Sequence, residues 1–184
     1  CLDHPRGLAD IECSHMFRIG ILILLASGAF AQRRVVVENE FVRVLDVTES
    51  STVKGRPHEH SMNRVMIYLT PGKQQLEYAD GEKKVLEFQA GTPLWSAAGG
   101  VHTSQNLGAP FRVIEVELNK KPGPAAPPLM LDPLKVAPRN YRVEFDEPQA
   151  RVIRARIGGK QQVPMHEHGP NRVVVFLTDA HLRV

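Results

Sequence analysis

Short runs of apolar residues, broken by single polar positions, recur along the chain from about residue 32. Successive side chains of a strand point to opposite faces of a sheet, so this alternation predicts β-strands, and no segment before the linker described below has the period of an amphipathic helix. Turn residues such as Pro71-Gly72 and Asp80-Gly81 separate the runs. The predicted strands cover residues 35–37, 41–47, 63–70, 74–79, 84–88, 94–95 and 111–118. Many short strands with turns between them indicate an all-β sandwich or barrel.

The N-terminal part of the chain has the features of a secretory signal peptide. Met16 and Arg18 precede an apolar run at residues 19–26, and Ala29-Phe30-Ala31 is a small-x-small cleavage site. The run is too short to span a bilayer, so we predict a signal peptide over residues 16–31 and a periplasmic or secreted protein without a stable membrane anchor after cleavage. The alternatives are a buried strand or a membrane anchor. Residues 1–15 would then be a non-native upstream extension.

Composition narrows the classes of chemistry. Cys1 and Cys13 are the only cysteines, and both precede the predicted cleavage site, so the mature chain would have no disulfide, cysteine nucleophile or thiolate ligand. The net charge is +3, with no cluster of Lys and Arg interleaved with aromatic residues. This dispersed charge argues against nucleic acid as a partner. The expected partner is a small molecule.

A proline-rich segment separates two related halves. Residues 119–140 contain six of the 14 prolines and are predicted to form a linker between a first domain at 32–118 and a second at 141–184. At an offset of 108 the two halves share ten identical positions without a gap, which indicates a duplicated domain. The identical pairs are Arg43/Arg151, Val44/Val152, His58/His166, Glu59/Glu167, His60/His168, Asn63/Asn171, Arg64/Arg172, Val65/Val173, Leu69/Leu177 and Thr70/Thr178.

The second copy is shorter than the first. A counterpart of His102 would fall near residue 210, whereas the sequence ends at Val184. We therefore expect the second domain to be partial because the chain is truncated. The alternative is a natural half-domain that another subunit completes.

Histidines supply the candidate chemistry. His58 and His60 are separated by one residue, so on an extended chain both imidazoles point the same way and can bind one metal ion. The pattern recurs at His166 and His168, and His102 follows in a Gly-rich segment. Two solvated surface histidines would be the simpler interpretation of one such pair, but the repetition favours a metal site.

These residues resemble the two metal-binding motifs of the cupin superfamily, in particular those of secreted bacterial two-domain cupins. The first motif, H-x-H-x4-E-x6-G, corresponds to His58, His60, Val65 in place of Glu, and Gly72. The second, G-x5-P-x-G-x2-H-x3-N, corresponds to Gly91, Ala97 in place of Pro, Gly99, His102 and Asn106. The resemblance implies a double-stranded β-helix, or cupin jelly-roll barrel, with one complete copy and the start of a second. It also implies a metal held by His58, His60 and His102, with His166 and His168 as a less complete second site.

The acidic ligand of the motif is missing from both copies, where Val65 and Val173 stand in its place. Three imidazoles leave open positions on a divalent ion, which suits a dioxygenase that binds O2 together with a chelating diol, enediol or diketone. Fe, Mn, Zn, Cu and Ni are all compatible with such ligands, and no catalytic base can be named. The same site also fits a non-catalytic binding or sensing module whose metal is structural or absent.

The orientation of one strand follows from this alignment. If Val65 faces the barrel interior, then Arg64, Met66 and Tyr68 face outward. Both faces would carry apolar groups, so we expect the outer face to contact the other domain or another subunit, giving a homo-oligomer in the latter case. Scattered surface hydrophobic residues are the alternative. Trp95 is expected at the cavity mouth or in the core, and Asn106 in a turn.

Overall fold

The computed structural model describes residues 31–119, 127–169 and 171–183. The predicted upstream extension and all of the predicted signal peptide except Ala31 lie outside the described residues. The described elements are β1 (Gln32–Glu38), β2 (Val42–Glu49), β3 (Arg64–Tyr68), β4 (Gly72–Tyr78), β5 (Lys83–Phe88), β6 (Pro93–Ser96), β7 (His102–Asn106), β8 (Phe111–Leu118), α1 (Pro133–Val136), β9 (Tyr141–Glu147) and β10 (Ala150–Ala155). No helix in these ranges is long and apolar enough to cross a membrane.

The strands β1 to β8 form two antiparallel sheets. One has the strand order β1-β2-β8-β3-β6 and the other the order β5-β4-β7. The chain passes from one sheet to the other after β3, β5, β6 and β7, so strands that are neighbours in sequence are seldom neighbours in a sheet. This interleaving is the double-stranded β-helix topology. The predicted fold class, an all-β jelly-roll barrel, is confirmed for the first copy.

The inner core lies between the two sheets and is dominated by aromatic rings. The ring centroids of Tyr68 and Phe88 lie 3.6 Å apart, and Phe111 packs against both. A Cβ atom at Gly72 would come within 2.7 Å of the Phe88 ring, which explains the glycine at this position. Burial of such rings contributes about 1.5–3 kcal/mol each. The buried members of this cluster are Leu45, Val47, Tyr68, Phe88, Phe111 and Val113.

The outer face of the five-stranded sheet carries a second apolar cluster, and the second half of the chain covers it. Val44, Val65, Ile114 and Val116 are its buried members. Side chains from the second half that pack against them are Phe145, Ala150, Val152 and Val175. The expectation that the outer face contacts another part of the protein is therefore correct, although the residues assigned to that face were wrong.

The predicted orientation of β3 is reversed in the structure. Val65 packs in the outer cluster, whereas Met66 packs against the inner one and Tyr68 belongs to it. The strand register gives the reason. Arg64 lies opposite Glu117 of β8, and it forms an ion pair with the buried Glu115 of the same strand. Because buried carboxylates need a cationic partner, β3 turns its arginine inward and leaves Val65 for the apolar outer face.

The second half forms a helical turn and one hairpin. Asp132 caps α1, and Pro133 starts it, so the segment predicted as a linker contains a short helix. β9 and β10 pair as a two-stranded sheet. At the offset of 108, the counterpart of the predicted strand at 63–70 falls at 171–178, but the described residues of this segment form no strand. In the five-stranded sheet, β3 lies between β8 and β6. The described residues of the second half form no strands equivalent to β8 or β6. That this half begins a second barrel stays a prediction.

The reversed orientation of β3 makes a direct prediction. Val65→Glu should destabilise the protein by about 3 kcal/mol or more, since it buries a carboxylate without a partner between the sheet and the β9–β10 hairpin. Val85→Glu is the matched control, because Val85 is an exposed residue of β5. Urea unfolding of both variants measures the difference. Equal stability of the two variants would contradict the outward orientation of Val65.

An ion cluster on the outside links three strands. Asp46 of β2 accepts hydrogen bonds from Arg34 of β1 at 2.8 Å and from Arg112 of β8 at 2.7 and 2.8 Å. The hydrogen bond from Arg112 is the largest cause that lowers the pKa of Asp46, from an ordinary 3.8 to about 2. The cluster therefore stabilises the folded state only while Asp46 is ionised.

Asp46→Asn should lower stability by about 1–2 kcal/mol at pH 7, a value reduced for solvent screening of the two arginines. The folded pKa is below the unfolded one, so this contribution is complete above about pH 5 and disappears as pH falls through about 2. Thermal unfolding of wild type and variant across this range measures it. Asp179→Asn, at an exposed position, is the control and should change stability by less than about 0.5 kcal/mol. A difference at pH 2 as large as the one at pH 7 would contradict the ion-pair origin.

Candidate metal centre

A pair of backbone hydrogen bonds brings the two histidine segments together. The N–H of His58 donates to the carbonyl of His102, and the N–H of His102 donates to the carbonyl of His58, both at 2.9 Å. This antiparallel bridge adds the loop after Gly55 to the edge of β7. Residues directly opposite in such a bridge point to the same face. His102 also lies opposite Tyr78, so the histidines share the inner face of the three-stranded sheet.

Contacts of the loop before β7 position His60. The N–H of Gly99 donates to the carbonyl of His60 at 2.6 Å, and the N–H of Ala98 donates to Oδ1 of Asn63 at 2.7 Å. The loop reaches this position because Gly99 and Gly100 have φ angles of +94° and +73°. Only glycine adopts such angles freely, which gives a physical reason for the Gly-Gly pair.

The three imidazoles form one compact group. Ring centroids are 5.1 Å apart for His58 and His60, 4.7 Å for His58 and His102, and 5.4 Å for His60 and His102. One ligand nitrogen from each ring lies within 4.8 Å of the others. His102 is buried, His60 is half-buried and His58 is exposed, so the group is reached from solvent on the His58 side. The structure thus brings together all three histidines that the first motif and the second motif predicted.

Hydrogen bonds select the tautomer of two rings. Nδ1 of His58 lies 2.9 Å from the carbonyl of Arg56, and Nδ1 of His102 lies 2.6 Å from the carbonyl of Gly100. A carbonyl only accepts, so each Nδ1 carries the proton and each Nε2 keeps a free lone pair. Histidine ligands in metal sites are commonly held in this way. Burial, with a smaller contribution from the charge of Arg64, lowers the pKa of His60 to about 3, so this ring is neutral at neutral pH. The donor set therefore fits a divalent metal ion.

No carboxylate joins the group among the described residues. The inward-facing residue at this end of β3 is Arg64, while position 65 faces the outer cluster, so even a carboxylate at position 65 would point away from the histidines. Tyr78 is the nearest aromatic neighbour, with its ring centroid 5.7 Å from that of His102. It also lines an open cleft of about 400 Å³ next to the group, together with Gly100 and Val101.

Sequence reasoning missed the charged residues behind the histidines. Glu115 and Glu117 of β8 are both 4% exposed and point inward, although charged residues in a strand are usually expected outside. The available signal was that Val113, Glu115 and Glu117 follow one another at a spacing of two, so they share a face of β8. Of the remaining candidates, Trp95 packs in the outer cluster, away from the metal group. Asn106 stabilises a turn through Gly108 and Ala109, as predicted.

The second histidine pair lacks a third partner in the described residues. The rings of His166 and His168 are 4.6 Å apart. Nε2 of His166 lies 3.1 Å from the hydroxyl of Tyr141, and its Nδ1 lies 2.8 Å from the carbonyl of Pro164. Both nitrogens of His166 are thus engaged within the protein. The carboxylate of Glu167 accepts backbone N–H groups from residues 130 and 131 instead of facing the pair.

Comparison with known proteins gives likenesses to solved structures only, since no family model and no curated protein matches the chain. A cupin domain from Bordetella pertussis Tohama I is 25% identical over 50% of this chain and 95% of that one, with a TM-score of 0.46. A protein with a double-stranded β-helix domain from Klebsiella pneumoniae is 22% identical over 53% and 84%, with a TM-score of 0.42. KdgF from Halomonas sp. is 21% identical over 50% and 80%, with a TM-score of 0.39.

The glycine loop provides a test of how the histidines are positioned. Gly100→Ala should cost about 1 kcal/mol of stability because alanine is disfavoured at positive φ. It should also weaken Zn(II) binding, since the carbonyl of Gly100 orients His102. Gly108→Ala is the control, because the space around Gly108 is open. Isothermal titration of both variants with Zn(II) measures the effect. Unchanged affinity in Gly100→Ala would show that this loop does not orient the ligand.

Proposed function

We propose that this chain is a metal-binding cupin protein in which His58, His60 and His102 hold one divalent ion. The observation that carries the proposal is the convergence of three imidazoles, two of them with Nδ1 fixed on backbone carbonyls. Surface histidines seldom have a fixed tautomer and a shared face, whereas metal ligands usually do. Iron, manganese, zinc, copper and nickel remain compatible with this donor set.

The class of reaction that we propose is dioxygenation of a small chelating substrate such as a diol, enediol or diketone. The bound metal would supply Lewis-acid and O2-binding chemistry at its open positions. The protein would position the ion, and solvent exposure of His58 leaves one side accessible to substrate. Glu115 and Glu117 are paired with arginines, so neither acts as a free base in this arrangement.

The same observation about the carboxylates supports a second candidate, a non-catalytic module that binds or senses a small molecule. A site without a free acid or base can bind a ligand through a metal, or through its polar residues alone, without transforming it. We further propose a periplasmic or secreted location, on the basis of residues 16–31.

Metal binding is tested by thermal unfolding with and without Fe(II), Mn(II) or Zn(II), together with metal analysis of the purified protein. An ion that binds only the folded state stabilises by about 2.7 kcal/mol at a hundredfold excess over Kd, or about 5–11 °C in Tm. His102→Ala should remove this shift, because it deletes one ligand of three. His181→Ala, at an exposed position, is the matched control and should keep it. A shift that survives in His102→Ala would contradict the proposed site.

Oxygen consumption separates the two functions. The metal-loaded protein is offered a panel of diols and diketones in an oxygen electrode. Uptake that depends on both metal and substrate, and that is lost in His102→Ala, supports the dioxygenase. Saturable binding of a ligand without oxygen uptake supports the binding module.

A further inference from the structure

The loop between β6 and β7 contacts two of the three candidate ligands. The N–H of Gly99 donates to the carbonyl of His60, and the carbonyl of Gly100 lies 2.6 Å from Nδ1 of His102. The loop, residues 97–101, is exposed, and the pairing of β6 with β3 ends before it begins. Two glycines and no proline among its five residues leave it little stiffness of its own. The positions of two imidazoles therefore depend on how firmly this loop is held.

Asn63 ties this loop to the second half of the chain. Its Oδ1 accepts a hydrogen bond from the N–H of Ala98 at 2.7 Å, and its Nδ2 donates to Oε1 of Gln149 at 2.9 Å. Gln149 lies in the turn between β9 and β10, and its Nε2 is 3.4 Å from the carbonyl of Leu118. The N–H of Leu118 donates in turn to the carbonyl of Asn63 at 2.9 Å. Two side-chain amides thus connect the hairpin to the loop.

The backbone groups at the two ends of this connection set the orientation of both amides. The N–H of Ala98 can only donate, and the carbonyl of Leu118 can only accept. Asn63 must therefore turn its oxygen to the loop and its NH2 group to Gln149, and Gln149 must turn its oxygen to Asn63. Without the oxygen of Gln149, the NH2 group of Asn63 would lose this acceptor, and its amide could rotate away from Ala98.

We propose that Gln149 is a positioning residue of the metal group, which acts through Asn63 on the loop that contacts His60 and His102. The inference rests on the proposed function, because it assumes that the three histidines bind a metal ion. A metal ion needs its ligand nitrogens in one geometry, and any freedom that the loop has before binding must be lost on binding. The β9–β10 hairpin therefore contributes to metal affinity, although it supplies no ligand.

Isothermal titration of the full chain with Zn(II) tests the proposal. Gln149→Met removes the acceptor and keeps the length of the side chain. It should raise the Kd for Zn(II) about two- to tenfold, the equivalent of one lost neutral hydrogen bond. Gln162→Met is the matched control, because Gln162 is an exposed residue of the same half. Equal Zn(II) affinities in the two variants would overturn the proposal.

A double-mutant cycle separates positioning from a general structural effect. Asn63→Ala removes the link between Gln149 and the loop, so in this background Gln149→Met should change the Kd by less than about twofold. A further loss of affinity as large as the one in the wild-type background would show that Gln149 acts by another route, and would overturn the proposal. Urea unfolding without metal checks that each variant is folded.

A second variant serves if Asn63→Ala does not fold. Gln149→Glu keeps an acceptor for the NH2 group of Asn63, so its Kd for Zn(II) should stay within about twofold of the wild-type value. Gln162→Glu controls for the added charge. A loss of affinity in Gln149→Glu that equals the loss in Gln149→Met would contradict the role of the acceptor.

Failure of the metal site and failure of this inference give different results. A wild-type protein that binds none of Zn(II), Mn(II) and Fe(II) would defeat both together. Zn(II) binding that is lost in His102→Ala but unchanged in Gln149→Met would leave the metal site standing and overturn only the role of Gln149.

Discussion

The pair of backbone hydrogen bonds between His58 and His102 is the constraint on which the candidate site depends. These two bonds convert a loop that has no regular structure of its own into an added edge of the three-stranded sheet. They fix the register, and the period of two then places His60 on the same face as His58. His60, the third candidate ligand, is thus positioned by backbone geometry and not by side-chain packing. A slip of one residue would turn the imidazoles to opposite faces.

Most of the fold could be predicted from the sequence because the strands alternate and the turns carry Gly or Pro. Seven of the eight strands β1 to β8 overlap predicted segments, whereas β7 (His102–Asn106) was not predicted as a strand. The predicted strand at 171–178 is absent because a strand needs neighbours, and sequence identity with β3 supplies none. The short helix α1 was missed because a proline-rich segment suggests an extended chain, although Pro133 at a first helical position is favourable.

The histidine group could be predicted from spacing, but its surroundings could not. Alternation tells which residues share a face of β3, but not which of the two faces is the interior. The neighbouring strand β8 decides which face of β3 is the interior, because its buried Glu115 and Glu117 require arginines on the inner side. A motif alignment that assumed Val65 at the ligand position selected the wrong face. The inward residue is Arg64. The motif would place a negative carboxylate on the inner face of β3, whereas this chain places a positive guanidinium there.

The two faces of β3 couple the second half of the chain to the site. Val65 belongs to the apolar cluster that the β9–β10 hairpin covers, while Arg64 contacts Glu115 on the inner face of the same sheet. Consecutive residues of a strand cannot move independently, so a shift of the hairpin would displace Arg64 relative to its partners. In addition, Asn63 just before β3 donates to Gln149 of the hairpin and accepts from Ala98 of the loop that positions His60. The hairpin therefore supports the geometry of the site from outside, although none of its residues belongs to the histidine group.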